Sequence, residues 1–176
     1  MEFASLTPRH QILDICCGTG DLTSWLAKQD STGQVVGIDI SRSALEIARA
    51  KIRHIPITLL RANGNDLPFD SARFDKCFIC FGLHHMTGQG RQKTLTEIHR
   101  VLAPEGALYI IDYNLPERGL RKLAAIAYAR LDSSDEAYQM LKDGSLSKVI
   151  KEAGFEIQRR GLACQDMVQL LEVVKN

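Results

Sequence analysis

The sequence has no long hydrophobic run, no excess of one charge and no secretory leader. No apolar stretch approaches the roughly 18 residues that a membrane-spanning helix requires, and residues 1–10 lack the basic flank and apolar core of a signal peptide. The 22 Lys and Arg residues are balanced by 21 Asp and Glu residues, which argues against a dedicated nucleic-acid-binding protein. We therefore expect a cytoplasmic protein that binds no nucleic acid and does not span a membrane.

The five cysteines lack the number and spacing of a disulfide framework or a metal site. An odd count without a secretory leader argues against paired cysteines. Cys77 and Cys80 have the CxxC spacing of zinc ligands, but no second pair completes the set. Both lie in an apolar run, where positions three apart on a strand point to opposite faces. We expect core cysteines and no metal.

Apolar runs alternate with amphipathic helical segments along the 176 residues, which is the pattern of βαβ units. The length predicts a single domain over residues 1–176. Two late runs, 155–159 and 167–174, are separated by about seven residues, too few for a parallel crossover, so we expect an antiparallel hairpin at one sheet edge. The expected fold is α/β, a Rossmann-like doubly wound sheet of seven mostly parallel strands. The predicted strands span 11–16, 34–39, 57–60, 74–81, 107–112, 155–159 and 167–174, and the predicted helices span 21–28, 43–54, 92–102, 117–130, 135–142 and 146–153.

One helix start and one turn are also predicted from local signals. Ser43 followed by Glu46 fits a capping box, so the second helix is expected to begin at Ser43. The segment Pro104-Glu105-Gly106 is expected to be a turn before the fifth strand.

A glycine loop follows the first predicted strand, at the edge where open α/β sheets bind ligands. Gly18 and Gly20 begin a G-x-G-x-x-G dinucleotide pattern, but the third glycine position is Thr23. Asp14, four residues before Gly18, suits a ligand with positive charge better than a pyrophosphate. A nicotinamide oxidoreductase is therefore disfavoured, and no hydride-transfer constellation supports one.

A second acidic residue, Asp39, ends the second predicted strand, 25 positions after Asp14. A carboxylate at this place accepts hydrogen bonds from ribose hydroxyls, which indicates an adenosine ligand. A solvated strand-end acid is the alternative for Asp39 alone. An adenosine with a cationic partner points to S-adenosylmethionine (SAM), which carries a sulfonium and an ammonium.

Several segments resemble class I SAM-dependent methyltransferases, in particular the ubiquinone/menaquinone-biosynthesis-like (methyltransferase type 11) group. The resemblance covers residues 11 to about 115 in the family's order, the expected cofactor half, whereas residues 116–176 are similar in layout only. It implies an enzyme, a transferase that moves the methyl group of SAM to a small-molecule acceptor by in-line displacement. The segments are Leu13–Gly20, Gly37–Ser41, Asn63–Phe69, Phe74-Asp75, Leu83–Met86 and Arg100–Gly106.

The resemblance also implies which residues contact the cofactor. Cys16 departs from the family because relatives have a glycine there, and Asn63 stands where relatives often have an aspartate. The implied contacts are Asp14, Cys16, Gly18 and Gly20 to the methionine part, Asp39 to the ribose, Ile40 to the adenine face, Asn63 to the adenine amino group, Gly64 to the ring through its N–H, and the backbone at Cys80 to the methionine ammonium.

The acceptor side is indicated by residues that follow the fourth and fifth predicted strands. His84 or His85 could act as a general base, since histidine titrates near neutrality; the alternative is that one orders the loop and the other caps a neighbouring element. Tyr113 and Asn114 are expected to line the acceptor pocket.

A non-catalytic SAM-binding module or partner subunit is the rival interpretation. The first predicted strand starts near residue 11, whereas relatives carry an N-terminal helix that covers the pocket. The helices predicted over 117–142, a partner chain or a second copy in a homo-oligomer could provide that cover.

Overall fold

The fold is described by a computed structural model, which covers residues 4, 6–7, 9–29, 34–116, 120–132, 138–140 and 145–176. Strands and helices alternate through most of this part of the chain. The strands are β1 (Gln11–Ile15), β2 (Gln34–Asp39), β3 (Ile57–Arg61), β4 (Phe74–Cys80), β5 (Leu102–Tyr113), β6 (Phe155–Ala163) and β7 (Val168–Lys175), and the helices are α1 (Asp21–Gln29), α2 (Arg42–Ile52), α3 (Gly88–Val101), α4 (Leu120–Asp132) and α5 (Ser145–Glu152), with a 3₁₀ turn at Leu83–His85.

The strands form one seven-stranded sheet in the order β3-β2-β1-β4-β5-β7-β6. The first five strands are parallel, and β7 is antiparallel to both β5 and β6. The predicted α/β fold with an antiparallel hairpin is therefore confirmed. Strand order reverses between β1 and β4, and the carboxyl ends of strands at such a reversal are where open α/β sheets bind ligands.

Helices cover both faces of the sheet. Ile12 and Leu13, neighbours in β1, are both fully buried but belong to different hydrophobic clusters, because successive strand residues point to opposite faces. Cys77 is fully buried, as predicted for a core cysteine, whereas Cys164 is exposed, so that part of the cysteine prediction was wrong. Among the described residues, none of the helices combines the length and the apolar character that a membrane span needs.

Element starts depart from prediction where backbone hydrogen bonds decide them. Helix α2 begins at Arg42, because Ser41 rather than Ser43 caps it by accepting from the N–H of Ala44. Helix α3 begins at Gly88, with Thr87 accepting from the N–H of Gly90. The predicted turn at 104–106 lies instead within β5, beside a register shift in β4 between Phe74 and Lys76. The helix predicted over 135–142 falls largely outside the described residues.

Candidate functional site

A cavity of about 700 Å³ lies at the carboxyl ends of β1, β2 and β4, where the strand order reverses. This volume is within the usual range of sites for small ligands and cofactors. Eight residues expected from the resemblance to contact a cofactor line it, although they come from separate parts of the chain. These residues are Asp14, Cys16, Gly18, Asp39, Ile40, Asn63, Gly64 and Cys80.

Asp14 is a buried carboxylate, 1% exposed, on the wall of this cavity. Its Oδ2 accepts a 2.6 Å hydrogen bond from the Thr23 hydroxyl, and its Oδ1 has no hydrogen-bond partner among the described residues. Burial raises the pKa of Asp14 to about 7, the Thr23 hydrogen bond opposes the rise, and the charge of Asp39 adds to it. An unpartnered buried carboxylate oxygen is costly, and a ligand cation would relieve that cost.

Asp39 joins the glycine loop to the start of α2. Its Oδ2 accepts a 2.8 Å hydrogen bond from the Gly18 N–H, and its Oδ1 accepts one of the same length from the Ser41 N–H. Each carboxylate oxygen can accept more than one hydrogen bond. The carboxylate therefore fixes the cavity wall and retains the capacity to accept from the hydroxyls of a sugar.

The two glycines of the loop have different environments. Gly18 has φ +52°, lines the cavity, and an added Cβ would meet nothing within 4 Å. Gly20 has φ +78° and does not line the cavity; its added Cβ would lie 3.0 Å from Ala48 Cβ of α2. The structure thus brings Gly18 to the cavity, whereas glycine at position 20 is explained by the close approach of α2.

Cys16 occupies the position where the family resemblance has a glycine, and it keeps a glycine-like backbone with φ +58°. Its side chain fills the space in front of Gly82, where an added Cβ would lie 2.9 Å from Cys16 Cβ. Burial, reinforced by the charges of Asp39 and Asp14, raises the pKa of Cys16 to about 12. The thiol is therefore protonated at neutral pH and unsuited to act as a nucleophile.

Alanine at position 82 is expected to lower the free energy of unfolding by about 1–3 kcal/mol, because the new Cβ overpacks the cavity wall. In a Cys16→Gly background the loss should be smaller, since two of the three closest contacts, at 2.9 and 3.0 Å, are with Cys16. Urea unfolding of Gly82→Ala, Cys16→Gly and the double variant measures this coupling. Gly88→Ala is the matched control, because its nearest atom is 3.9 Å away. Strictly additive effects would contradict the interpretation.

The side of the cavity near β3 carries the residues expected to meet an adenine. Ile40 is an apolar side chain with 62% exposure, which a flat ring lying on it would cover. The Asn63 Oδ1 accepts from the N–H of Asn65 within a tight turn. An added Cβ at Gly64 would lie 3.2 Å from Thr94 of α3, so the chain approaches that helix closely there. These contacts hold the turn in place beside the cavity.

The two adjacent histidines both belong to the 3₁₀ turn, with ring centroids 4.0 Å apart, but they have different environments. His84 is fully buried, and its ring Nδ1 lies 2.7 Å from Asp112 Oδ1. The backbone N–H of His84 donates to Asp112 Oδ2 at 3.3 Å. His85 is exposed and lines the cavity. Only His85 of the two is therefore placed to meet a bound molecule, whereas His84 and Asp112 tie the loop after β4 to the end of β5.

A second cavity, of about 530 Å³, lies beside the first at the ends of β5 and β7, under α4. Tyr113 and Asn114, the two residues predicted to line an acceptor pocket, are among the residues that line it. The Asn114 side-chain amide donates to the Asp166 carbonyl at 2.8 Å, which ties the end of β5 to the β6–β7 turn. The lining is mainly apolar and comprises Phe81, Tyr113, Asn114, Ala124, Ala125, Cys164, Met167 and Val168.

The sequence alone did not identify several residues that line the cavities (Phe81 and Met167) or that bind residues beside them (Thr23 and Asp112). Thr23, which binds Asp14, was considered only as a missing glycine. Asp112 lies near the carboxyl end of β5, as Asp14 and Asp39 lie at the carboxyl ends of β1 and β2, so its position at a strand end was an available signal. Phe81 and Met167 gave no signal, because their places depend on contacts between distant segments.

Residues 12–106 match a known protein family, described as a methyltransferase domain. The whole chain is 31% identical to an uncharacterized methyltransferase of Synechocystis sp. and covers 81% of that protein. A 2-phytyl-1,4-naphtoquinone methyltransferase of Nostoc sp. is 38% identical over 66% of the chain, which spans about half (52%) of that relative's length.

The fold has a counterpart among solved structures. A SAM-dependent methyltransferase from Aquifex aeolicus superposes with a TM-score of 0.76 at 21% identity, covering 98% of this chain and 85% of that one. This match supports the same arrangement of the sheet and helices.

Proposed function

Since the chain belongs to the SAM-dependent methyltransferases and uses SAM as its cofactor, we propose that it methylates a small, largely apolar acceptor bound in the second cavity. The observation that carries this proposal is the adjacency of two unlike cavities. The first has a buried carboxylate, one oxygen of which has no hydrogen-bond partner within the described part of the chain, and the second has mainly apolar walls.

The first cavity fits the cofactor part by part. The unpartnered Asp14 Oδ1 suits the methionine ammonium, Asp39 suits the ribose hydroxyls, and Ile40 offers an apolar surface to the adenine. When bound, SAM would supply a methyl group on a sulfonium: the nucleophilic atom of the acceptor would bond to the methyl carbon in line with the carbon–sulfur bond, which would break and release S-adenosylhomocysteine. The protein's own part is to hold the acceptor at near-attack distance, on the order of 3–3.5 Å, and to exclude water.

His85 is the residue on the first cavity wall that suits proton transfer, if the acceptor must lose a proton. The cavity thiols of Cys16, Cys17 and Cys80 do not suit it, because burial raises the pKa of each to about 12. A His85→Gln variant distinguishes a base from a mere wall residue by the pH profile of kcat.

The walls of the second cavity support a proposal for the class of acceptor. Apolar and aromatic side chains favour a ring or chain with little charge, and relatives named as quinone methyltransferases act on molecules of that kind. We therefore propose a reduced, quinone-like ring as the acceptor.

The test is methyl transfer from isotopically labelled SAM to reduced 1,4-naphthoquinone, followed by mass spectrometry under anaerobic conditions. Ala124→Phe adds a ring to the wall of the second cavity and should lower kcat/KM by about tenfold or more, with the Kd for SAM unchanged. Ala127→Phe, an exposed position on the same helix, is the matched control. Equal activity of the two variants would exclude the second cavity as the acceptor site. Tight SAM binding without transfer to any acceptor would favour the binding-module alternative.

A further inference from the structure

Phe81 stands where the two cavities meet. It follows β4 directly and lines both cavities, and no other described residue does so. A group that lies in the second cavity and extends toward the first must therefore pass the Phe81 ring. Phe81 therefore forms part of the boundary between the two cavities.

The backbone of Phe81 is held in a conformation that bulky residues avoid. Its φ is +50°, in the left-handed region. The Phe81 N–H donates to the Ile111 carbonyl at 2.8 Å, so the residue remains attached to β5. The next residue, Gly82, is crowded by Cys16 and Ile79, with an added Cβ 2.9–3.0 Å from their atoms. The turn after β4 is thus fixed on both sides of Phe81.

Burial in the core does not account for a phenylalanine at this place. The side chain is 38% exposed, and glycine or asparagine would adopt the same backbone with less strain. A strained backbone that places a partly exposed aromatic side chain between two cavities is typical of a functional position.

Neighbouring rings hold the Phe81 ring in position. The Tyr113 ring lies 5.2 Å from it, centroid to centroid, and the His84 ring lies 6.3 Å away. His84 is bound to the buried Asp112, which also accepts from the Tyr113 N–H at 2.8 Å. The rings of Tyr113 and His84, against which Phe81 lies, are therefore anchored to the sheet.

We propose that Phe81 is the specificity-determining residue of the acceptor site, providing the flat face on which a planar acceptor lies while its reacting atom reaches into the cofactor cavity. The proposal rests on the second cavity being the acceptor site. It implies that the ring selects acceptors by planarity and width, so that its removal changes acceptor preference more than cofactor affinity.

The experiment compares kcat/KM for a two-ring and a one-ring acceptor, 1,4-dihydroxynaphthalene and 1,4-dihydroxybenzene, in wild type and three variants. Phe81→Gly removes the ring and relaxes the left-handed backbone, Phe81→Leu keeps bulk without a plane, and Phe81→Tyr keeps the plane. The two-ring preference should fall by about tenfold in Phe81→Gly and less in Phe81→Leu, with a raised KM, and should persist in Phe81→Tyr. The Kd for SAM is measured for each variant, because Phe81 also lines the first cavity, and the ratio of kcat/KM values for the two acceptors should change more than this Kd.

An equal loss of activity toward both acceptors would overturn the proposal, because it would indicate a structural role only. Thermal unfolding with S-adenosylhomocysteine checks that each variant folds. If wild type methylates neither compound, the proposed acceptor class is wrong. The role of Phe81 is then tested by the binding of 2-naphthol in the presence of S-adenosylhomocysteine. Binding that is weakened about tenfold by Phe81→Gly and retained by Phe81→Tyr supports the assignment of Phe81. Binding that is absent in wild type, or equal in Phe81→Gly, overturns it.

Discussion

Replacing Asp39 with alanine is expected to raise the Kd for SAM by about a hundredfold or more. The carboxylate is the proposed acceptor for the ribose hydroxyls, and it also holds the Gly18 and Ser41 N–H groups at 2.8 Å. Hydrogen bonds to a charged group contribute about 1.5–3 kcal/mol each. Loss of the two proposed bonds from the ribose hydroxyls is therefore enough to account for a hundredfold change in Kd. Isothermal titration calorimetry with SAM measures the effect.

The controls for this variant separate loss of the site from loss of the fold. Asp70→Ala removes an exposed carboxylate outside both cavities and should leave the Kd unchanged. Asp39→Asn can accept from one of the two N–H groups but presents its own donor to the other, so an intermediate Kd is expected. A folded Asp39→Ala protein with wild-type affinity would show that Asp39 does not bind the cofactor.

The second large effect is the pH dependence that Asp14 imposes on cofactor binding. The carboxyl has a pKa raised from 3.8 to about 7 in the free protein, chiefly by burial. Pairing with the methionine ammonium requires the ionised form, so a proton must be lost on binding at lower pH. Affinity for SAM should therefore fall by about tenfold per pH unit below pH 7. The slope is measured by calorimetry at pH 5–7, below the range where the α-amino group of SAM titrates, near pH 7.7–8.0.

The same group affects stability with the opposite sign. Between pH 4 and 7 the unfolded chain has lost the Asp14 proton while the folded protein retains it, so the free energy of unfolding decreases as pH rises. Asp14→Asn keeps an acceptor for the Thr23 hydroxyl and removes this dependence. Without cofactor at pH 8 the variant should melt at a higher temperature than wild type, yet bind SAM more weakly. Asp70→Asn, at an exposed position, is the control. A lower melting temperature for Asp14→Asn than for wild type at pH 8 would contradict the interpretation that the ionised Asp14 carboxylate destabilises the cofactor-free fold.

The parallel strands were predictable from sequence because each contains a short apolar run, although β5 begins at Leu102, before its predicted start. The predicted bounds of β2, 34–39, are those observed, and the hairpin followed from the short connection between its strands. Helix starts were less predictable, since Ser41 and Ser43 are equally good capping residues in sequence. The position of Asp39, whose Oδ1 accepts from the Ser41 N–H, decides between them.

The cofactor cavity was more predictable than its neighbour for a topological reason. Asp14 and Asp39 are at the carboxyl ends of adjacent parallel strands, which meet at one edge of the sheet. The second cavity joins Phe81, Tyr113 and Val168, and their proximity depends on β7 pairing with β5. No local pattern specifies that pairing. The left-handed backbone of Phe81 likewise accompanies a contact between Gly82 and Cys16, residues far apart in sequence.

The position of β7 has a consequence for the order of assembly on the ribosome. β7 follows β6 in the chain but inserts between β5 and β6. A nascent chain that has emerged as far as β6 therefore has an open edge on β5, since β5 pairs with β7 and not with β6. Among the residues that the structure describes, those lining the first cavity extend no further along the chain than Gly90, whereas the second cavity needs Met167 and Val168. Vectorial synthesis thus makes the cofactor site available to fold before the neighbouring cavity can close.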